Sequence, residues 1–168
     1  MTGFDRFLPD MERTCKEVYF SLGANIGNRR QNMEAAIRMM SAAFGRGYER
    51  ISSFVETDPW GFESEDKFLN CVVVYSLDMP CREILGVCKA IESRLGRDVS
   101  EPKFDEGGKR IYESRAIDID ILFCGEETVD EPDLKVPHHL MRERDFVMVP
   151  LREVADGSIV SHFPEIFY

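Results

Sequence analysis

Several absences bound what this 168-residue chain can be. No C-x-x-C pair occurs, and the cysteines, Cys15, Cys71, Cys81, Cys88 and Cys124, are odd in number, three of them in apolar runs. That argues against a disulfide scaffold and for reduced core thiols in a cytosolic protein. Histidine is scarce, and His138, His139 and His162 do not have the spacing of a zinc site. No apolar stretch approaches the roughly 20 residues of a membrane span. The opening MTGFDRFLPDMERTCKE lacks an apolar h-region, so no signal peptide is expected. A cytoplasmic location follows by elimination. Positive charge is short as well: 21 Lys and Arg against 31 Asp and Glu, a net charge of -10. Such a chain has no general attraction for nucleic acid or an anionic membrane. Phosphates would have to be held by local arginines or by metal ions. No internal repeat or low-complexity segment is present.

What is there reads as one globular domain over residues 16–168, preceded by an unpatterned extension at 1–15. EVYFSLG (17–23) reads as a buried strand. A helix is expected from Arg29 to Phe44, with Met33, Ala36, Ile37, Met40 and Phe44 on one stripe. YERISSFVET (48–57) reads as one strand and KFLNCVVVYSL (67–77) as the next. Pro80 opens a second helix with Ile84, Val87, Cys88, Ile91 and Leu95 on one stripe, ending at Gly96. A polar stretch from Arg97 to Arg115 leads into SRAIDIDILF (114–123). The order β-α-β-β-α-β predicts an α+β, ferredoxin-like antiparallel sheet with both helices on one face and a long loop before the last core strand. The C-terminal VPHHLMRERDF and MVPLREVA must fold back over something.

SRAIDIDILF carries the most information. In a strand, side chains i and i+2 share a face. Ile117, Ile119 and Ile121 then pack under the helices, while Asp118 and Asp120 face the open side, roughly 7 Å apart at Cα. An ordinary solvated face would explain them. Yet this strand is expected to pair centrally, and two carboxylates there call for a cation. Oxygen ligands at this spacing suit Mg²⁺, which takes one or two carboxylates together with substrate phosphates. Two such ions could flank a transferring phosphoryl group.

Other segments support that chemistry, each beside a plainer reading. The 97–115 stretch is either a surface insertion or a lid whose cations, Arg97, Lys103, Lys109, Arg110 and Arg115, neutralise phosphates. VPHHLMRERDF is either a polar loop or a phosphate-contacting histidine with arginines. ETDPWGFESEDKFLN (56–70) gives core aromatics, or a stacking pocket for a flat heterocycle with Asn70 as donor and acceptor. Lys89 and Glu92 could be a surface i,i+3 pair. SLGANIG (21–27) lacks G-x-G-x-x-G and G-K-[ST] and reads as a tight turn near the site.

Together SLGANIGNR, ISSFVETDPWGFESEDKFLN, SRAIDIDILF and VPHHLMRERDFVMVPLREVA resemble the 6-hydroxymethyl-7,8-dihydropterin pyrophosphokinase family, from about Val18 to Ala155. The resemblance implies transfer of pyrophosphate from ATP to the pterin hydroxymethyl oxygen in folate synthesis, leaving AMP. It implies that Asp118 and Asp120 hold two Mg²⁺ ions, with Arg97 and Arg115 as catalytic lid arginines. ATP contacts would be Glu92, Arg97, Arg115, Ile121, His138 and Arg144. Pterin contacts would be Thr57, Asp58, Pro59, Trp60, Phe68, Asn70, Tyr112 and Phe146, with Phe68 and Phe146 sandwiching the ring. The substrates are then ATP and the pterin, and a monomer is expected. The chain departs from the family at Ile111, Glu113 and Ser114, at Tyr112 (often tryptophan), at His139 and at Lys89. A palm-like nucleotidyl transferase and a non-catalytic ligand-binding module are the rival readings.

Overall fold

The computed structural model describes residues 15–57, 67–96, 106–107 and 116–168. Arg97, Arg115, most of the 97–115 stretch between them, Tyr112, Asp58, Pro59, Trp60 and nearly all of the N-terminal extension lie outside those residues.

Strand β1, Lys16–Ala24, is the spine. It pairs antiparallel with β4 (Phe68–Leu77) on one side and with β5 (Asp118–Cys124) on the other. Two short strands, β2 (Arg50–Ile51) and β3 (Val55–Thr57), both pair with β4. Among the described residues the sheet order is β2-β4-β1-β5 with β3 beside β4, all antiparallel. The carboxylate strand β5 is thus at the end of the sheet and not in its centre, as the sequence had led us to expect. Residues 48–57 are also not one strand. Ser52 breaks it: its hydroxyl accepts from the Val72 N–H at 2.8 Å and donates to the Ser53 carbonyl, a local alternative to regular pairing.

Helix α1, Arg29–Phe44, starts where expected because the Asn28 side chain accepts from the Gln31 N–H, an N-cap. It stops at Gly45, whose φ of 71° is left-handed. Helix α2, Cys81–Arg94, follows Pro80. Both pack on one sheet face, over Val18, Phe20, Leu22, Cys71, Val73, Ile119 and Ile121. The isoleucines of β5 are therefore core, as the alternation predicted.

The other face is not left open. A small hairpin, β6 (Val129–Glu131) with β7 (Leu134–Val136), leads through a cis Val136–Pro137 peptide to three further helices. These are α3 (Asp145–Val154), α4 (Gly157–His162) and α5 (Pro164–Phe167). Their Val147, Met148, Leu151, Ile159 and Phe167, with Phe163 between α4 and α5, cover Tyr19, Val72, Val74, Leu122 and Phe123. The expectation of helices on one face only is corrected on this point. A register shift between Tyr19 and Phe20 helps: it puts both Leu122 and Phe123 into this second core. Arg50 locks the layer down, with Nε to the Val154 carbonyl at 3.0 Å and both terminal nitrogens on Glu17. The second core covers the end of the sheet face where Leu122 lies. Asp118 and Asp120, nearer the start of β5, stand beyond it and are half-buried.

Candidate functional site

The pairing register assembles the site row by row. Gly23 of β1 lies opposite Asn70 of β4 and opposite Asp118 of β5. Ser21 lies opposite Val72 and Asp120. Asn70, Gly23 and Asp118 thus form one rung on the face away from α1 and α2, with strands about 4.8 Å apart. The central position of that rung has no side chain. A Cβ built on Gly23 would stand 2.8 Å from Asn70 Oδ1 and 3.7 Å from Phe68 Cδ1. Asn70 leans into the space the glycine leaves. It is 2 % exposed, and its amide donates to Thr57 Oγ1 at 2.9 Å. Thr57 is itself opposite Phe68 in the β3–β4 ladder. One end of the face therefore gathers Thr57, Phe68 and Asn70, three of the expected pterin contacts, next to the two aspartates.

The segment after β7 approaches the aspartate strand. The His138 N–H donates to the Leu122 carbonyl at 3.0 Å, next to Asp120 and Ile121 on β5. His138 Nδ1 accepts from the Leu140 N–H at 3.2 Å. That leaves the ring proton on Nε2, as a donor. Burial, the Arg144 cation and His139 push its pKa down to about 4, with Asp118 acting weakly the other way. At neutral pH His138 is an uncharged N–H donor. The His139 ring stacks on it, centroids 5.2 Å apart. Arg144 precedes α3, with its guanidinium carbon 5.7 Å from the centre of the Phe146 ring. Both Arg144 and Phe146 are half-buried.

Two expected nucleotide contacts have a different setting. Ile121 has its side chain in the helix-side core. Glu92 is 3 % exposed on α2, so it is not half of a surface pair with Lys89.

Asp118 and Asp120 fit Mg²⁺ by their chemistry. They are two half-buried, oxygen-only donors on one face, and no cluster of three or more His, Cys, Asp or Glu side chains exists among the described residues. A transition-metal cage would need more ligands, whereas Mg²⁺ is commonly held by one or two carboxylates plus phosphate oxygens.

Two further residues shape the site, and both fall in the SLGANIGNR segment. Gly23 ends the expected strand EVYFSLG, and β1 runs one residue past it, to Ala24. The alternation of the strand puts Ser21 and Gly23 on the aspartate-facing side near its end. Arg29 opens α1.

Comparison with known proteins follows the same lines. The family described as 7,8-dihydro-6-hydroxymethylpterin-pyrophosphokinase matches residues 19–156. A 2-amino-4-hydroxy-6-hydroxymethyldihydropteridine pyrophosphokinase of Porphyromonas gingivalis is 43% identical over 139 residues, 82% of this chain and 90% of that protein. A folate synthesis bifunctional protein of Arabidopsis thaliana is 36% identical over 138 residues, which span 82% of this chain but 27% of the plant protein. Among solved structures, an HPPK-DHPS crystallised in complex with substrates aligns with a TM-score of 0.60 at 13% identity, covering 90% of this chain and 43% of the other. That last likeness is one of fold. The chain belongs to the 7,8-dihydro-6-hydroxymethylpterin-pyrophosphokinase family.

Proposed function

We propose that this protein transfers the terminal pyrophosphoryl group of ATP to the hydroxymethyl oxygen of 6-hydroxymethyl-7,8-dihydropterin, releasing AMP, as a step of folate synthesis. The observation that carries the reading is the rung Asn70–Gly23–Asp118, which sets the amide expected to bind the heterocycle two strands from a carboxylate expected to bind metal. In the transfer, the hydroxymethyl oxygen forms a bond to the β-phosphorus of ATP. The bond from that phosphorus to the bridging α–β oxygen breaks, AMP leaves, and the hydroxyl proton passes to solvent. Phosphoryl transfers of this kind rest mainly on alignment and charge neutralisation, so no strong general base is required.

Each side chain then has a task. Phe68 and Phe146 stack on the two faces of the pterin. Asn70, held by Thr57, reads its polar edge and fixes its rotation. Asp118 and Asp120 would hold two Mg²⁺ ions, which would supply positive charge to neutralise the phosphates. His138 donates its Nε2–H to a phosphate oxygen without adding charge, and Arg144 adds a full positive charge beside it. Arg97 and Arg115 act as lid arginines, Tyr112, Asp58, Pro59 and Trp60 line the pterin, and Glu92 and Ile121 contribute to the nucleotide subsite.

The sheet order supports the ferredoxin-like description, and we take 16–168 as one domain and 1–15 as an extension. No described helix is long and apolar enough to cross a membrane, in line with a cytoplasmic enzyme. We take it to act as a monomer on two small molecules.

The test is incubation of the folded protein with ATP, Mg²⁺ and the hydroxymethyl-dihydropterin. AMP and the pterin pyrophosphate should appear together, and only with both substrates. Release of pyrophosphate would instead select a nucleotidyl transferase, and no turnover with saturable ligand binding would select a binding module.

A further inference from the structure

Arg29 is the first residue of α1, yet its side chain serves the sheet. Nη1 donates to the Lys67 carbonyl at 2.8 Å, and Nη2 donates to Glu56 Oε1. Lys67 adjoins Phe68 and Glu56 adjoins Thr57, the last pair of the β3–β4 ladder. One guanidinium therefore ties together the ends of two strands that carry the expected pterin contacts, and ties both to the start of α1. We propose that Arg29 is a positioning residue for the pterin wall formed by Thr57, Phe68 and Asn70. This inference rests on the function proposed above.

The strand it holds needs a fastening. Among the described residues β3 has three residues and pairs with β4 alone. A strand that short specifies its register weakly, and a slip of one residue would turn Thr57 to the opposite face. Thr57 would then leave Asn70, whose amide would lose its 2.9 Å acceptor. Asn70 Oδ1 already fills the space above Gly23, 2.8 Å from where a Cβ would stand. Arg29 resists such a slip from outside the ladder, because its two bonds fix the spacing of Glu56 and Lys67. The guanidinium fork suits this role, since it reaches a carboxylate and a carbonyl at once in a fixed geometry.

The contacts are partly solvated: the Arg29 and Glu56 side chains are 30% and 54% exposed. A pair this exposed adds little to global stability. Its effect should appear in the orientation of a bound ring, where small misplacements are costly. A residue that only stabilised the fold would affect both substrates and the melting temperature.

The experiment compares R29M and E56Q with the unaltered protein in the AMP-release assay, varying pterin and ATP separately, with thermal unfolding in parallel. R29M should raise the pterin KM about five- to tenfold, leave the ATP KM within about twofold, and shift Tm by no more than about 2 °C. E56Q keeps the Lys67 contact and should raise the pterin KM by only about two- to threefold. Unchanged pterin KM in R29M, equal rises for both substrates, or losses that follow Tm would each overturn the inference. Absence of AMP from the unaltered, folded protein would remove the functional reading and this inference together. AMP formed at normal pterin KM by R29M would remove the inference alone.

Discussion

At the scale of single residues, Gly23 is the most constrained position in the site. It is not needed for a positive φ, since it lies within β1. It is needed because Asn70 occupies the volume a side chain would take. In Gly23→Ala the new methyl meets Asn70 Oδ1 at a distance that real contacts do not tolerate, so the amide must rotate off Thr57. The pterin KM should rise roughly tenfold or more, about the effect of one lost oriented hydrogen bond. Tm should fall by only a few degrees, as for a loss of about 1 kcal/mol. Equal KM for glycine and alanine would show that Asn70 does not orient the ring. His138 supplies a second residue-scale test, through pH. Its folded pKa is about 4, below the ordinary histidine value of 6.5. The folded state therefore refuses a proton that the unfolded chain accepts between those values. Stability linked to His138 is complete above pH 6.5 and is lost as pH falls toward 4. The unfolding free energy of the unaltered protein should drop more than that of His138→Gln across this window, by up to roughly 3 kcal/mol. Parallel denaturant curves for the two proteins from pH 7 to pH 4 would refute it.

At the scale of elements, local chemistry was readable and tertiary pairing was less so. The start of α1 at Arg29 was legible because Asn28 is a capping residue. The alternation of β5 was legible because period two survives in sequence. Its position at the sheet end was not, because strand order depends on partners far along the chain. The break at Ser52 was hidden for a related reason: it needs the Val72 N–H, which only the fold brings near. Helix α3 was obscured by Pro150 inside a ten-residue helix, which breaks the usual sequence signal. The site divides the same way. The aspartates, Phe68, Asn70, His138 and Phe146 are visible in the sequence as candidate site residues; Gly23 and Arg29 stand in the SLGANIGNR segment too, but the contacts through which they act are made with distant residues. The α1 cap gives an element-scale prediction. Asn28→Ala leaves the Gln31 N–H without its side-chain acceptor and should cost about 1 kcal/mol in chemical denaturation. Because Arg29 follows directly, the same change should also raise the pterin KM slightly. Asn28→Asp should restore stability, since aspartate caps equally well. A variant that loses stability equally with aspartate and alanine would show that the cap bond is not the cause.

At the scale of the whole molecule, a net charge of -10 must be reconciled with a substrate that is itself highly anionic. The bulk field opposes ATP, so under the proposed function binding would depend on local cations and on Mg²⁺ held by Asp118 and Asp120. These carboxylates share a face of one strand. Under the proposed function, the stability that bound ligand adds should depend on them. With Mg²⁺ and ATP near a hundredfold above Kd, the unaltered protein should gain about 2.7 kcal/mol. For a chain of this size that is a rise of about 5–10 °C in Tm. The rise should nearly vanish with EDTA, and should be largely absent in Asp118→Asn whether or not Mg²⁺ is present. Thermal unfolding of both proteins without ligands, with Mg²⁺ and ATP, and with ATP and EDTA measures this directly. A full Mg²⁺-dependent gain in Asp118→Asn would show that the ions bind elsewhere and that the aspartate pair is only a solvated sheet face.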